Sequence, residues 1–130
     1  MKKYTILLLL FSAFFYACEK DSPQQTATVN FTGTKSGGIF ISNEGNFTKS
    51  NSSLTYVSPE GAVINNVFAA VNNTPIGDIL NSMSMVNNKL YLIVNNSGKI
   101  EVCNSSTLSN IKTISGLTSP RYMLPVDSNK

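Results

Sequence analysis

The sequence contains no histidine, no tryptophan and only two cysteines. The lack of histidine excludes Ser-His-Asp and Cys-His catalysis and every metal site that needs an imidazole ligand. Charged residues make up only 13% of the chain, so it has no clustered basic footprint of the kind that binds nucleic acid. Asparagine, serine and threonine supply most of the polarity, which suits neutral polar partners at least as well as ions. We predict a non-enzymatic protein with no metal, cofactor or nucleic-acid partner.

The N-terminus has the composition of an export signal. Lys2 and Lys3 precede an apolar run over residues 6–17, and Cys18 follows directly. A positive start, an apolar stretch of roughly 7–15 residues and a small residue before the cleavage site are typical of a signal peptide. Residues 15–18 read Phe-Tyr-Ala-Cys, which resembles a bacterial lipobox, where the cysteine is lipidated and becomes the first mature residue. We therefore predict a lipoprotein signal over residues 1–17 and lipidation of Cys18, with acyl chains holding the protein on a membrane.

Two alternatives remain for this segment, a plain secretory signal and an uncleaved membrane helix. The apolar run is shorter than the roughly 20 residues that a span needs, and charged residues follow at 19–21. If Cys18 is lipidated, Cys103 has no partner for an intrachain disulfide. Cys103 alternates with apolar residues in a strand-like run, so we expect it to be a buried, small apolar side chain.

Beyond Cys18 the sequence predicts a flexible tether over residues 18–37 and then an all-β domain. The tether is rich in Gln, Thr, Ser, Gly and Lys. From residue 38, short runs rich in Ile, Val, Leu, Tyr and Phe are separated by turn residues, which is typical of strands. The predicted strands are residues 39–42, 53–58, 63–68, 82–86, 89–94, 99–104, 111–115 and 122–126. Asn87 and Asn88 suit positive φ in a two-residue hairpin, and residues 67–70 could begin one short helical turn.

The strand pattern repeats along the chain. Residues 83–89 are echoed by residues 123–130, and Lys89 and Lys130 lie about 41 positions apart. A period near 40–45 with four strands per unit indicates a β-propeller blade. Residues 83–121 are similar to a YncE-type propeller repeat. Residues 38–56, which begin Gly-Ile-Phe-Ile-Ser-Asn-Glu-Gly-Asn, resemble the first blade of surface lipoprotein propellers from Bacteroidetes.

This resemblance implies a partial β-propeller of about two blades of four-stranded antiparallel sheet. Blade 1 would span about 38–70, blade 2 about 81–116, and a third blade would begin at 119–130. Members of the family that the sequence resembles usually have about seven blades. We therefore expect an N-terminal fragment of a longer protein, with unpaired strand edges and exposed apolar faces. The alternative is a genuine two-sheet protein, completed by another copy.

In such a blade the strands alternate in direction, so the longer connections gather on one face. These connections are residues 42–51, 71–80, 95–98 and 116–121, and longer loops on a rigid scaffold usually carry binding. Their polar side chains are our candidates for ligand contact: Asn43, Glu44, Asn46, Asp78, Asn95, Asn96 and Arg121. Structural roles are the alternative, because Asn builds turns, Glu44 could hold a loop amide and Arg121 could join two blades.

The resemblance implies a lipid-anchored protein of the outer membrane, on the cell surface, that captures a polar small molecule. A corrinoid or a glycan would be the ligand, and an outer-membrane transporter would be the partner. A protein–protein scaffold is the second hypothesis. A propeller enzyme of the lactonase or quinoprotein type is the third; it would need metal ligands or a cofactor clamp, of which this sequence offers few. Separately, Glu44 and Asp78 are considered as a carboxylate pair for acid–base chemistry.

Overall fold

The computed structural model describes residues 31–126, which form two antiparallel sheets of three and four strands. The strands follow one another in chain order in both sheets, β1-β2-β3 and β4-β5-β6-β7. The elements are β1 Ile39–Asn43, β2 Ser53–Val57, β3 Val63–Ile64, α1 Val67–Asn72, β4 Leu80–Val86, β5 Lys89–Val94, β6 Lys99–Asn104 and β7 Asn110–Ile114. The predicted all-β fold class is confirmed, and the two sheets do not close into a ring. The predicted signal peptide and Cys18 lie outside the described residues.

The tight turns of the second sheet are those that the sequence predicts. Asn87 and Asn88 both have positive φ, 48° and 58°, and join β4 to β5. This backbone shape matches the right-handed twist of the two strands, and asparagine tolerates it better than most residues. The turn aligns Val86 with Lys89, and the register then continues to Leu80 opposite Val94 with one irregularity. Two adjacent asparagines thus set which side chains of the hairpin face the core.

The core lies between the two sheets. It consists of one face of β2, one face of β5 and β6, the helix and residues from the connections: Leu54, Tyr56, Val67, Phe68, Ile76, Leu80, Leu90, Leu92, Val94, Cys103 and Leu108. Burial of each large apolar side chain contributes about 1.5–3 kcal/mol, so this shared core holds the sheets together. Cys103 is completely buried, as predicted.

Several elements differ from the sequence prediction. The strand predicted at residues 63–68 is only Val63–Ile64, because Val67 and Phe68 belong to the helix. Residues 67–72 form a helix of six residues where we expected one turn at most, because Val67 and Phe68 bury their side chains against β2. Strand β4 begins at Leu80 rather than at residue 82. The strand predicted at residues 122–126 is not formed; this segment has no pairing partner within residues 31–126, and Tyr122, Leu124 and Val126 are about four-fifths exposed.

The end of the predicted tether contacts the domain. Phe31 packs edge-on against Tyr56, with ring centroids 5.6 Å apart. The Tyr56 hydroxyl accepts a hydrogen bond of 2.7 Å from the backbone N–H of Lys35. A Cβ at Gly38 would lie 2.2 Å from the same hydroxyl, so only glycine allows the chain to pass the tyrosine here. Thr34 N donates to the Ser106 carbonyl at 2.8 Å, which places the entering chain beside the β6–β7 turn.

The face of the first sheet that points away from the second sheet carries exposed apolar residues. Ile39, Ile41 and Val63 are 60%, 46% and 53% exposed. The register places Val57 beside Ile39 and Val63 on this face. The exposed apolar face that the sequence predicts is therefore present.

Candidate functional site

The four predicted loops meet on one side of the domain, which we call the loop face. The backbone N–H of Leu80 donates to the carbonyl of Glu44 at 3.2 Å, which links the β1–β2 loop to the start of β4. The N–H of Asn95 donates to the carbonyl of Ile79 at 2.8 Å, which links the β5–β6 turn to the same segment. These bonds join loops of both sheets into one surface, formed by residues 44–52, 73–79, 95–98 and 115–121.

Asp78 lies at the centre of the loop face and is only 4% exposed. Its Oδ2 accepts hydrogen bonds from the backbone N–H of Thr48 at 2.7 Å and from Asn96 Nδ2 at 2.5 Å. Its own backbone N–H donates to Ser97 Oγ at 2.9 Å. Asp78 Oδ1 is buried and has no hydrogen-bond partner within residues 31–126. Asp78 and Asn96 therefore connect two loops of the loop face. Because the Asp78 carboxylate is buried and hydrogen-bonded, it is poorly placed to exchange protons with Glu44.

Asn95 and Arg121 take part in hydrogen bonds that hold the segment after β7 against the β5–β6 turn and strand β4. Asn95 Nδ2 donates to the carbonyl of Pro120 at 3.0 Å. The carbonyl of Arg121 accepts from Ser82 Oγ at 2.6 Å and from Asn81 Nδ2 at 2.9 Å. These bonds place Arg121 alongside β4 through its backbone, whereas its side chain is exposed. The structural alternative for Arg121 therefore has direct support from its backbone contacts.

Glu44 and Asn46 lie at the exposed start of the β1–β2 loop. The carbonyl of Glu44 accepts from Ser52 Oγ at 2.7 Å, and the N–H of Asn46 donates to Asn51 Oδ1 at 2.7 Å. Both bonds use backbone atoms, so the carboxylate of Glu44 and the amide of Asn46 remain at the surface. Whether either side chain contacts a ligand stays a prediction.

Asn43, the remaining candidate, lines an open groove beside the loop face, which we call the polar groove. The groove has a volume of about 780 Å³. Its walls come from the ends of β1 and β2, the loop before β2, both ends of α1 and the segment after α1. The lining residues are Asn43, Ser50, Asn51, Ser52, Ser53, Thr55, Asn65, Asn66, Ala69, Asn73, Thr74 and Pro75.

A chain of hydrogen bonds crosses the floor of the polar groove. Asn43 Nδ2 donates to Ser53 Oγ at 3.1 Å and to Thr55 Oγ1 at 3.0 Å. Thr55 Oγ1 in turn donates to Asn65 Oδ1 at 3.0 Å. The pairing of Asn43 with Ser53 puts Asn43, Ser53 and Thr55 on one face of the sheet. This chain fixes the orientation of two amides relative to each other.

Two further amides stand at the ends of α1. Asn66 and Asn73 both have φ of 54° and cap the helix in the left-handed conformation. The side chain of Asn66 makes no capping hydrogen bond. The backbone shape explains why asparagine occurs at both positions, and both residues line the groove. Asn65, Asn66 and Asn73 are functional candidates that the sequence analysis missed, because only the docked helix brings them next to β1.

A second, smaller cleft of about 240 Å³ lies at the other end of the first sheet, and it is charged. There Lys35 Nζ and Glu60 Oε1 form an exposed ion pair at 2.8 Å. The hydrogen bond from Lys35, with a smaller contribution from Ser58, lowers the pKa of Glu60 to about 2. Exposed pairs of this kind contribute little to stability. The contrast matters because the polar groove has no charged residue in its lining.

Within the described residues, no group of three or more His, Cys, Asp and Glu side chains is placed to hold a metal ion. Across residues 31–126, none of the helical structure reaches the length and apolarity needed to span a bilayer.

Sequence comparison gives one family match. The model of a family described as a domain of unknown function, DUF5074, matches residues 37–130, which include the whole of both sheets. No protein of curated function matches the chain.

Proposed function

The chain belongs to the DUF5074 family, which is β-propeller-like, and we propose that it is a lipid-anchored surface protein that captures a polar small molecule. The ligand would be a corrinoid or a glycan, and an outer-membrane transporter would receive it. The finer relationship that we propose is to the YncE-type surface lipoprotein propellers of Bacteroidetes, as their first two blades.

The polar groove is the observation that carries this proposal. Its volume of about 780 Å³ falls in the range of small-molecule sites, about 300–1,000 Å³. Strands β1 and β2 and helix α1 supply part of its walls, and the adjoining loops and turns supply the rest. It shares residues 50–52 and 73–75 with the loop face, whose loops are joined by hydrogen bonds. This combination of a rigid scaffold and adjacent polar loops is typical of binding sites.

The path of the chain supports an anchored arrangement. Phe31 and Thr34 contact the domain beside the β6–β7 turn, through Tyr56 and Ser106. This turn lies at the opposite ends of the strands from the β5–β6 turn of the loop face. A tether that starts at a lipidated Cys18 would therefore join the domain on its far side and leave the loop face accessible.

The lipid anchor is tested by expressing the full chain with radiolabelled palmitate, alongside the Cys18→Ser variant. We expect label and membrane association in the wild type and loss of both in Cys18→Ser. A plain secretory signal predicts an unlabelled, soluble wild type. A membrane helix predicts that both chains remain in the membrane fraction without label.

Ligand capture is tested with the purified full chain immobilised on a resin. Cyanocobalamin and a panel of neutral oligosaccharides are passed over it, and retained ligand is measured by mass spectrometry against an unrelated protein. Retention of a corrinoid or a glycan above that background is expected. Retention of neither contradicts the proposed function for this chain.

One observation, the exposed apolar face of the first sheet, supports the scaffold hypothesis. Ile39, Ile41 and Val63 offer a surface to a protein partner or to a neighbouring blade. The scaffold function predicts that a charge on this face, such as Ile39→Lys beside Val57 and away from the groove floor, abolishes partner binding. Capture of a small molecule in the groove predicts that ligand retention survives the same change.

A further inference from the structure

We propose that the polar groove binds a neutral carbohydrate, and that the amides of Asn43, Asn65, Asn66 and Asn73 hydrogen-bond its hydroxyl groups. This inference rests on the proposed capture function. It adds the chemical class of the ligand and the residues that bind it. It requires neither the lipid anchor nor a transporter.

The first argument is electrostatic. The twelve lining residues include no Lys, Arg, Asp or Glu. Asp78 is buried outside the lining and its Oδ2 already accepts two hydrogen bonds. An ionised ligand in the groove would meet no opposite charge in the lining, so the lining offers it no charge pairing. A neutral ligand needs none.

The second argument concerns which hydrogen-bonding atoms are already used. Within residues 31–126, Asn43 Nδ2 is engaged with Ser53 and Thr55, which leaves the Asn43 Oδ1 acceptor available. Asn65 Oδ1 accepts from Thr55, which leaves the Asn65 Nδ2 donor available. The same chain that engages one atom of each amide fixes the direction of the other. A sugar hydroxyl both donates and accepts, so two hydroxyls of one ring can satisfy an acceptor and a donor held in this way.

The third argument separates a carbohydrate from a corrinoid. A corrinoid presents a broad macrocycle and a phosphate, whereas Ala69 and Pro75 are the wholly apolar side chains among the residues that line the groove. The remaining lining residues are amides and hydroxyls, which match a ligand whose surface is covered with hydroxyl groups. Such a ligand exchanges its bonds to water for bonds of similar strength, so we expect weak binding, in the millimolar range.

The structural alternative explains only part of this set. Left-handed backbone accounts for asparagine at positions 66 and 73, but glycine would serve the backbone equally well there. This gives matched variants. Asn66→Gly and Asn73→Gly remove the amide and keep the backbone conformation. Asn88→Gly makes the same change at a third left-handed position, in the β4–β5 turn outside the groove.

The experiment uses the full chain with Cys18→Ser, so that it can be handled without lipid. Saturation-transfer NMR titrations measure Kd for neutral hexoses, for maltose and cellobiose, for glucuronate, for inorganic phosphate and for cyanocobalamin. The ligands are titrated against the parent chain, the Asn66→Gly/Asn73→Gly double variant, Asn65→Ala and Asn88→Gly. Urea midpoints show that each variant is folded.

We expect a neutral sugar to bind the parent and the Asn88→Gly variant equally. Its Kd should rise by about tenfold or more in the double variant and in Asn65→Ala, since about 1.4 kcal/mol of lost hydrogen bonding corresponds to tenfold. Binding of glucuronate or phosphate in preference to the neutral sugar overturns the proposal.

Other outcomes distinguish this inference from the capture function. If cyanocobalamin binds and the neutral sugars do not, the capture function stands and the carbohydrate assignment is wrong. If a sugar binds but the double variant and Asn65→Ala bind it as well as the parent, capture stands and the groove is not the site. If no probe binds the parent, both proposals fail.

Discussion

Replacement of Asp78 by alanine should destabilise the domain, because this carboxylate joins loops of both sheets. Its Oδ2 accepts from Thr48 N at 2.7 Å and from Asn96 Nδ2 at 2.5 Å. A hydrogen bond to a charged group contributes about 1.5–3 kcal/mol, so the pair contributes about 3–6 kcal/mol.

Two features of the site reduce the expected loss. Asp78 Oδ1 is buried without a partner within residues 31–126. An unsatisfied buried acceptor costs about 1–3 kcal/mol, and the alanine variant no longer carries this cost. Thr48 and Asn96 are exposed, so the donors that the substitution frees can bond to water. The net expected loss is therefore about 2–3 kcal/mol in the free energy of unfolding.

Urea unfolding of the full chain, followed by circular dichroism, measures this loss. With a slope of about 1–3 kcal/mol per molar urea, the midpoint should fall by roughly 1–2 M. Glu44→Ala is the matched control, since it removes an exposed carboxylate from the same loop face and should change stability by less than about 0.5 kcal/mol. If Asp78→Ala is as mild as Glu44→Ala, the structural role of Asp78 is wrong, and its carboxylate becomes a stronger candidate for ligand contact.

Three further predictions concern side chains away from the loop face. Asn72→Ala should cost about 2–3 kcal/mol in urea unfolding, because its amide donates to the Phe68 and Leu108 carbonyls and accepts from the Asn110 N–H; an unchanged midpoint would contradict this. Burial, aided by the negative charge of Glu101, raises the pKa of Cys103 to about 12, so in a Cys18→Ser chain iodoacetamide should label Cys103 only after unfolding, and rapid labelling of the native chain would refute it. The hydrogen bond from Lys35 lowers the pKa of Glu60 from 4.5 to about 2, so the small stabilisation from this pair should be complete above pH 4.5 and be lost as pH falls through about 2. A carboxyl ¹³C titration by NMR should find that midpoint, and Lys35→Met should move it towards 4.5; a wild-type midpoint already near 4.5 would show that the pair does not form.

Local signals were sufficient to predict most of the fold. Strand positions followed from runs of β-branched and aromatic residues, and the β4–β5 turn followed from Asn87 and Asn88, because both depend on neighbouring residues. The gathering of the loops on one face followed from the alternating strand directions of the propeller blade that the sequence resembles. Asp78 and Asn96 were both named as candidates, and the structure brings them into direct contact.

Features that depend on contacts distant in sequence could not be predicted in this way. Residues 67–72 have no helical period, and the helix exists because Val67 and Phe68 fill the space above β2. The polar groove depends on that helix, since Asn66 and Asn73 reach it only from the two ends of α1. In the sequence, Thr55 looks like an ordinary strand residue. Its hydrogen bonds with Asn43 and Asn65 become apparent only once the register of β1 and β2 is known.

The distribution of charge indicates how this domain could discriminate between ligands. Glu101 is buried in the second sheet, where Lys99, Asn110 and Thr113 satisfy its carboxylate at 2.6–2.7 Å. Asp78 is likewise engaged within the loop face. The buried carboxylates therefore serve the scaffold. Under the proposed function, the uncharged groove would select ligands by the directions of its hydrogen bonds. Binding of this kind would depend little on salt and be weak and rapidly reversible, as the proposed transfer of ligand to a partner requires.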